Sequence, residues 1–197
     1  MKRFFVFFAL IGLMVSTSAF IASETLTYNV DTEKSTVNWK GYKVTGSHEG
    51  TIGIESGGLE YTDGLLSGGT FKIDMTSMVV TDLQGGAAKK LLGHLKSDDF
   101  FGVKKFPTTS FKITSVSPQG PNRYKVSGDL TIKETTKPIR FTATTSEENG
   151  TITANADITV DRSDFNVRYG SGTFFDNLGD KTIYDEFDLN VSLVVSK

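Results

Sequence analysis

Two histidines, His48 and His94, carry the most versatile chemistry in this sequence. A metal site would need both of them to converge with carboxylates such as Asp82, Asp98 or Asp99, because divalent transition metals take several such ligands. The chain has no cysteine, which excludes disulfides, thiolate ligands and thiol nucleophiles. His94 also falls near the end of a predicted helix, where its ring can bond free carbonyls. We favour this capping role, and we expect no metal and no cofactor.

The spacing of the other reactive side chains gives little support for a hydrolase. The sequence has no G-x-S-x-G elbow, and Ser47 beside His48 would point to the opposite face of a strand. Carboxylate pairs of the glycosidase type could be formed from acidic residues near the C-terminus, which are more simply interpreted as exposed turn residues. These residues are Asp161, Asp164, Asp185 and Glu186. An enzyme acting on an isoprenoid lipid or a carbohydrate is therefore the alternative to a non-enzymatic function.

Two arginines suggest a site for an acidic head group. Arg162 and Arg168 flank Phe165 and Tyr169, so they could meet a phosphate or carboxylate at the rim of a barrel. In the simpler interpretation, which we favour, both lie on a solvated loop and pair with neighbouring aspartates. The spacing alone leaves both interpretations open.

The element that would position these residues is the stretch from residue 89 to residue 113, where a helical pattern runs into a strand. Apolar residues recur at one-turn spacing and predict a helix from about residue 82 to residue 95, with Thr81 and Asp82 capping its first turn. Phe100 and Phe101 follow on a short loop, and Pro107 prevents the helix from continuing. These phenylalanines either pack into the core or line the mouth of a cavity.

The rest of the chain alternates between apolar and polar residues, as strands with one buried face do. The clearest run extends from Tyr124 to Ile132, and Asn149 with Gly150 predicts a tight hairpin turn. We count about eight to ten strands, which form either a closed barrel or a two-sheet sandwich.

Small residues on the apolar faces favour a hollow barrel over a sandwich. Packed sandwich cores usually place Val, Ile or Leu at such positions, and a barrel of about eight strands has room for one small ligand. The small residues are Gly41, Gly128, Ala143, Ala154 and Ala156. Alternatively, large neighbours such as Trp39, Phe141 and Tyr124 fill the space opposite them.

The first 22 residues are typical of a cleaved export signal. Lys2 and Arg3 precede an apolar run over residues 4 to 15, which is too short to cross a bilayer core, and small residues follow it. We expect a periplasmic or secreted protein. The 21 basic and 23 acidic residues give a net charge of −2 without a basic cluster, so nucleic acid is not an expected partner.

Several segments together resemble the YceI-like family of exported lipid-binding proteins. Their order and spacing extend over almost the whole mature chain. The block from the helix through the paired phenylalanines to Pro107 and Phe111 is one specific part, and the segment GDLTIK over residues 128–133 is another. The remaining segments are residues 28–31, 46–50, 66–71 and 161–165, with Ser35 and Trp39.

The resemblance implies one all-β domain over residues 23–197. It is expected to be a closed antiparallel lipocalin-like barrel of about eight strands, with a short helix capping one end. The implied activity is non-enzymatic binding, carriage or storage of a long-chain isoprenoid or another lipid inside the barrel. Transient membrane contact and homodimer formation are left open. The expected ligand-binding residues are Trp39, Phe71, Ile73, Phe100, Phe101, Phe111, Leu130, Phe141, Phe165 and Tyr169.

Overall fold

The computed structural model describes residues 23–197, so the predicted export signal lies outside the described residues. No helix within this range is long and apolar enough to span a bilayer. Strands make up most of the fold. They are β1 (Thr25–Val30), β2 (Thr36–Lys43), β3 (Gly46–Thr62), β4 (Leu65–Val80), β5 (Thr108–Pro118), β6 (Arg123–Ile132), β7 (Thr135–Glu148), β8 (Thr151–Asp161) and β9 (Ile183–Ser196). Helix α1 spans Gly85–Lys96, and 3-10 helices span Arg162–Phe165 and Gly179–Lys181.

All strand pairs are antiparallel, and the sheet closes on itself. The ring runs from β2 through β9, β8, β7, β6, β5, β4 and β3 back to β2. The first half of β3 pairs with β2, while residues 58–62 of β3 pair with β1. Because β1 and β2 thus share one position, nine strands form a barrel of eight positions. The predicted closed antiparallel barrel with one short helix is confirmed for this part of the chain.

The alternation seen in the sequence sets which side chains face inward. On β6, Tyr124, Val126, Gly128, Leu130 and Ile132 are buried, whereas the residues between them are at least partly exposed. The predicted turn at Asn149 and Gly150 joins β7 to β8, and both residues have the positive φ angles, 51° and 76°, that such a turn needs. The strand pattern and this turn are therefore as predicted.

One end of the barrel is filled by a packed cluster that includes Tyr61, Tyr124, Ile152 and Val195. Tyr28 packs edge-on against Tyr61, with ring centroids 5.3 Å apart. Both ends of the described chain lie here. The hydroxyl of Ser23 donates to Asp63 in the β3–β4 turn at 2.6 Å, and Ser196 pairs with Thr151 after the β7–β8 turn. We call this the closed end.

Helix α1 lies at the opposite end, between β4 and β5, but its termini differ from the prediction. It begins at Gly85, and its N-cap residue, Gln84, makes no side-chain hydrogen bond. The prediction that Asp82 caps the helix is wrong, because its carboxylate instead accepts hydrogen bonds from His48 Nδ1 and the Glu49 N–H. The predicted capping role of His94 is also not observed. The Ser97 hydroxyl donates to the His94 carbonyl at 2.7 Å and caps the last turn.

Candidate functional site

The barrel encloses a cavity of about 740 Å³ whose wall is built mainly from apolar side chains on the inward faces of the strands. Every expected ligand-binding residue except Phe165 contributes to this wall. These are Trp39, Phe71, Ile73, Phe100, Phe101, Phe111, Leu130, Phe141 and Tyr169. The strand period brings the six strand residues together, because inward-facing residues of neighbouring strands share one surface, whereas Phe100, Phe101 and Tyr169 lie on connections between elements. Their contact with a ligand stays a prediction.

Phe165 is the exception and corrects the expected set. Its side chain is only 1% exposed and packs in a core cluster with Phe100, Leu130, Val160 and Val167, behind the cavity wall. It belongs to the 3-10 turn Arg162–Phe165, which is capped by Asp161, whose carboxylate accepts from the Ser163 N–H at 2.8 Å. Phe165 therefore supports the wall without forming part of it.

Some of the small residues border open space, and others are covered by large neighbours, so each of the two interpretations made from the sequence applies to part of the barrel. Gly41 lies on the wall, and an added Cβ there would meet no atom within 4 Å, so the space beside it is open. Ala154 and Ala156 also face the cavity. At Gly128, by contrast, an added Cβ would overlap the Phe111 ring, so a large neighbour fills that space. The barrel is hollow near Gly41 and packed near Gly128.

The cavity opens at the helix end of the barrel. At this end, exposed residues of its wall lie at the end of β2, on helix α1, on the connection from β8 to β9 and at the start of β9. Examples are Lys43, Lys90, Tyr169 and Tyr184, and the two tyrosines are 48% and 51% exposed. We call this opening the mouth.

The paired phenylalanines lie just inside the mouth. The Phe100 and Phe101 rings meet edge-on, with centroids 4.9 Å apart, and both side chains reach the cavity wall. Phe100 is only 5% exposed and belongs to the same core cluster as Leu130, whereas Phe101 is partly exposed. Phe100 thus serves the core and the wall together, and Phe101 is the more accessible of the two.

Arg162 is buried, which contradicts the favoured interpretation of this residue as part of a solvated loop, and it contributes to the cavity wall. Its side chain is 2% exposed, and its guanidinium donates to the backbone carbonyls of Val167, Ile183 and Tyr184 at 2.6, 2.9 and 3.1 Å. Asp185 lies 3.1 Å away as its counter-charge. Burial lowers the pKa of Arg162, while the charge of Asp185 opposes that shift. Arg162 therefore holds the β8–β9 connection in place.

Arg168 lies on the same connection but is exposed. It donates to the Asn166 side chain and lies over the Phe174 ring, 4.8 Å from its centroid. The expected pairing of Arg168 with Asp161 or Asp164 is not observed among the described residues. One of the two arginines is thus a structural residue, and the other lies in solvent.

Polar groups gather near the mouth. His48 is on the wall, and its Nδ1 lies 2.8 Å from Asp82. Burial alone would raise the pKa of Asp82, but the hydrogen bonds from His48 and the Glu49 N–H lower it below its usual value. His94 is also on the wall, packed against Tyr169 with ring centroids 4.3 Å apart. Residues 23–197 contain no group of three or more metal-ligating side chains.

The expected set did not include several residues of the wall. Phe187, Leu189, Val191 and Leu193 of β9 could have been found from their alternation, which was visible in the sequence. The side chains that α1 contributes, such as Lys90, depend on how the helix is placed over the barrel. No local pattern specifies that placement.

Comparison with known sequences gives consistent matches. The family model described as the YceI-like domain matches residues 28–195. A UPF0312 protein of Pseudomonas putida strain F1 is 29% identical over 180 residues, covering 85% of this chain and 88% of that protein. A UPF0312 protein of Shewanella denitrificans is 42% identical over 55 residues, covering 28% of this chain and 29% of that protein.

Solved structures share the fold. The crystal structure of Burkholderia cenocepacia BcnA has a TM-score of 0.68 and 25% identity, covering 84% of this chain and 98% of that one. A polyisoprenoid binding domain from Saccharophagus degradans has a TM-score of 0.65 and 14% identity, with 86% and 97% covered. A Campylobacter jejuni YCEI protein has a TM-score of 0.55 and 17% identity, with 100% and 99% covered. The last two likenesses concern the fold alone.

Proposed function

Because this chain belongs to the YceI-like domain family, we propose that it binds one long apolar chain, a polyisoprenoid or a similar lipid, and carries or stores it unchanged. The observation that carries this proposal is the apolar cavity of about 740 Å³ inside the barrel. A water molecule takes roughly 30 Å³ of liquid volume, so the cavity has room for about 25 groups of that size. The polyisoprenoid-binding description of the Saccharophagus degradans domain, which has the same fold, supports the ligand class.

The free energy of burial is large enough for tight binding without any reactive group. Transfer of apolar carbon from water is worth ~0.8 kcal/mol per methylene, so about 20 enclosed carbons give roughly 16 kcal/mol before the costs of association. Those costs are themselves several kcal/mol or more, which leaves a net affinity in an ordinary range for a carrier. The apolar wall, rather than any single residue, would supply this energy.

Exchange of the ligand would occur through the mouth, in transient contact with a membrane. Tyr169 and Tyr184 are half exposed beside the opening, and Phe174 and Phe175 of the same connection are 37% and 48% exposed. Aromatic side chains suit the interface between a lipid bilayer and water. Such a carrier would work outside the cytoplasm, in the periplasm or after secretion. Sequencing of the mature N-terminus, expected near residue 20 or 23, tests the export step.

The test of the binding function combines ligand recovery with a blocked cavity. Protein purified from its own host should release a long-chain lipid in native mass spectrometry. Gly41→Leu should reduce the bound fraction severalfold, because the new side chain occupies open space on the wall. Gly93→Leu is the matched control, since Gly93 is exposed on α1, away from the cavity, and also has no neighbour within 4 Å.

Two outcomes would contradict the proposal. Protein that is ligand-free in repeated preparations, and that takes up no added isoprenoid, is not a carrier of this kind. Equal ligand content in Gly41→Leu and the unmodified protein would place the ligand outside the cavity.

An enzyme acting on the lipid is the alternative function. The hydrogen bond between His48 and Asp82 resembles part of a catalytic arrangement. Among residues 23–197, however, neither imidazole ring is hydrogen-bonded to a serine or threonine hydroxyl, since the Ser97 hydroxyl bonds the backbone carbonyl of His94 and not its ring. Recovery of an added lipid unchanged after prolonged incubation would favour the carrier, whereas conversion of the lipid would favour the enzyme.

A further inference from the structure

We infer that the mouth holds a site for an anionic head group, formed by Lys90 and His94 on α1 with Lys43 at the end of β2. This inference rests on the proposed function, since it concerns the polar end of the same ligand. The head group would be a phosphate or a carboxylate attached to the apolar chain.

The first observation is the placement of the two helical residues. Lys90 and His94 both line the cavity, and they are four residues apart, so they lie one turn apart on the same face of α1. Ala87 and Leu91 lie on the wall as well, which places this face of the helix over the cavity. A head group at the mouth would therefore meet a cation and an imidazole on one helical face.

The second observation is that these cations have no protein partner in the described part of the chain. Neither Lys43 nor Lys90 forms a salt bridge there, although other lysines, such as Lys34 and Lys105, do. Glu186 is the only carboxylate among the described wall residues. The charge facing the mouth is therefore positive on balance, and an anion would be attracted.

The third observation is an unsatisfied polar atom. His94 Nε2 is buried and has no hydrogen-bond partner within residues 23–197, which is costly for a polar atom in a low-dielectric site. The Tyr169 ring packs edge-on against the His94 ring, with centroids 4.3 Å apart, and Tyr169 is 48% exposed. A ligand oxygen that replaced the Tyr169 ring would accept a hydrogen bond from His94 Nε2, while Lys90 supplied the charge.

The experiment compares three ligands that share one isoprenoid chain: geranylgeranyl phosphate, geranylgeranoic acid and geranylgeraniol. We expect the unmodified protein to bind the phosphate or the carboxylate at least about tenfold more tightly than the alcohol, because hydrogen bonds to charged groups contribute at that level. The anion that binds more tightly shows whether the site prefers a phosphate or a carboxylate head group. Binding is measured by displacement of a fluorescent fatty-chain probe.

The variants are Lys90→Ala, His94→Phe and the control Lys89→Ala. Lys90→Ala and His94→Phe should each weaken binding of the preferred anion about tenfold more than binding of the alcohol. His94→Phe keeps an aromatic ring against Phe100 and Tyr169, so the local packing is preserved. Lys89→Ala should change neither, because Lys89 is exposed and lies off the wall.

The inference is overturned if the alcohol binds as tightly as both anions, or if the Lys90 and His94 variants weaken all three ligands equally. In either case the binding of apolar chains would still stand. If none of the three ligands binds, the proposed function fails together with the head-group site.

Discussion

Replacing Arg162 by methionine should destabilise the protein strongly, although Arg162 lies in a connection between strands. Its guanidinium satisfies the carbonyls of Val167, Ile183 and Tyr184, and its side chain is 2% exposed. Methionine fills a similar volume but donates no hydrogen bond. Three carbonyls would then lose their donor, and the Asp185 carboxylate would lose its counter-charge.

The magnitude follows from these contacts. An unsatisfied buried group costs about 1–3 kcal/mol, and removing one partner of a buried ion pair costs about 3–5 kcal/mol. The contributions are not additive, because the carbonyls can find water once the connection loosens. We therefore expect a loss of about 4 kcal/mol in the free energy of unfolding, a large share of the ~5–15 kcal/mol typical of a domain.

The assay is urea unfolding followed by intrinsic fluorescence, with Arg168→Met as the matched control. Arg168 is the same residue type on the same connection, but it is exposed and bonds only Asn166. Its replacement should cost less than about 1 kcal/mol. A loss for Arg162→Met as small as that of the control would refute the argument that the buried guanidinium organises the connection.

Two further predictions concern the barrel interior. Burial raises the pKa of Tyr61 from 10.0 to about 12, and its hydroxyl has no hydrogen-bond partner within the described residues. The folded state thus favours the neutral phenol, so the stabilising contribution is complete below pH 10 and falls as the pH rises towards 12. The unmodified protein should lose about 1–2 kcal/mol over that interval relative to Tyr61→Phe, and parallel alkaline stability curves would contradict this. Among charged substitutions near the mouth, Phe100→Asp should lower the thermal midpoint as much as Leu130→Asp, because the two side chains are 5% and 7% exposed. Phe101→Asp should lose bound lipid more than stability, and an equal loss of stability would make Phe101 a core residue as well.

The sequence was sufficient to predict features that depend on local periodicity. The alternation along β6 and the turn at Asn149 and Gly150 are set by residues close in the chain, and both were predicted correctly. Most of the expected site residues reach the cavity for the same reason. Their common property is a position on the inward face of a regular strand.

The errors arose where a distant residue decides the outcome. Asp82 is a residue type that often caps helices, but its carboxylate is hydrogen-bonded to His48, 34 residues away. Arg162 and Arg168 are equivalent by type and neighbours, yet the carbonyls that bury Arg162 include two from β9, about 20 residues later. Gly128 favoured a hollow interior in the sequence, but the Phe111 ring of the neighbouring strand β5 fills the space beside it. These partners can be identified only from the closed barrel.

The position of the described chain ends has a practical consequence for measuring and using this protein. Ser23 and Ser196 both lie at the closed end, with Tyr61 and Val195 packed between them and the cavity. A tether joined to either end would therefore hold the barrel with its mouth facing away from the attachment surface. Protein immobilised on a sensor through a C-terminal tag should present a uniform, unobstructed opening to vesicles in the flow.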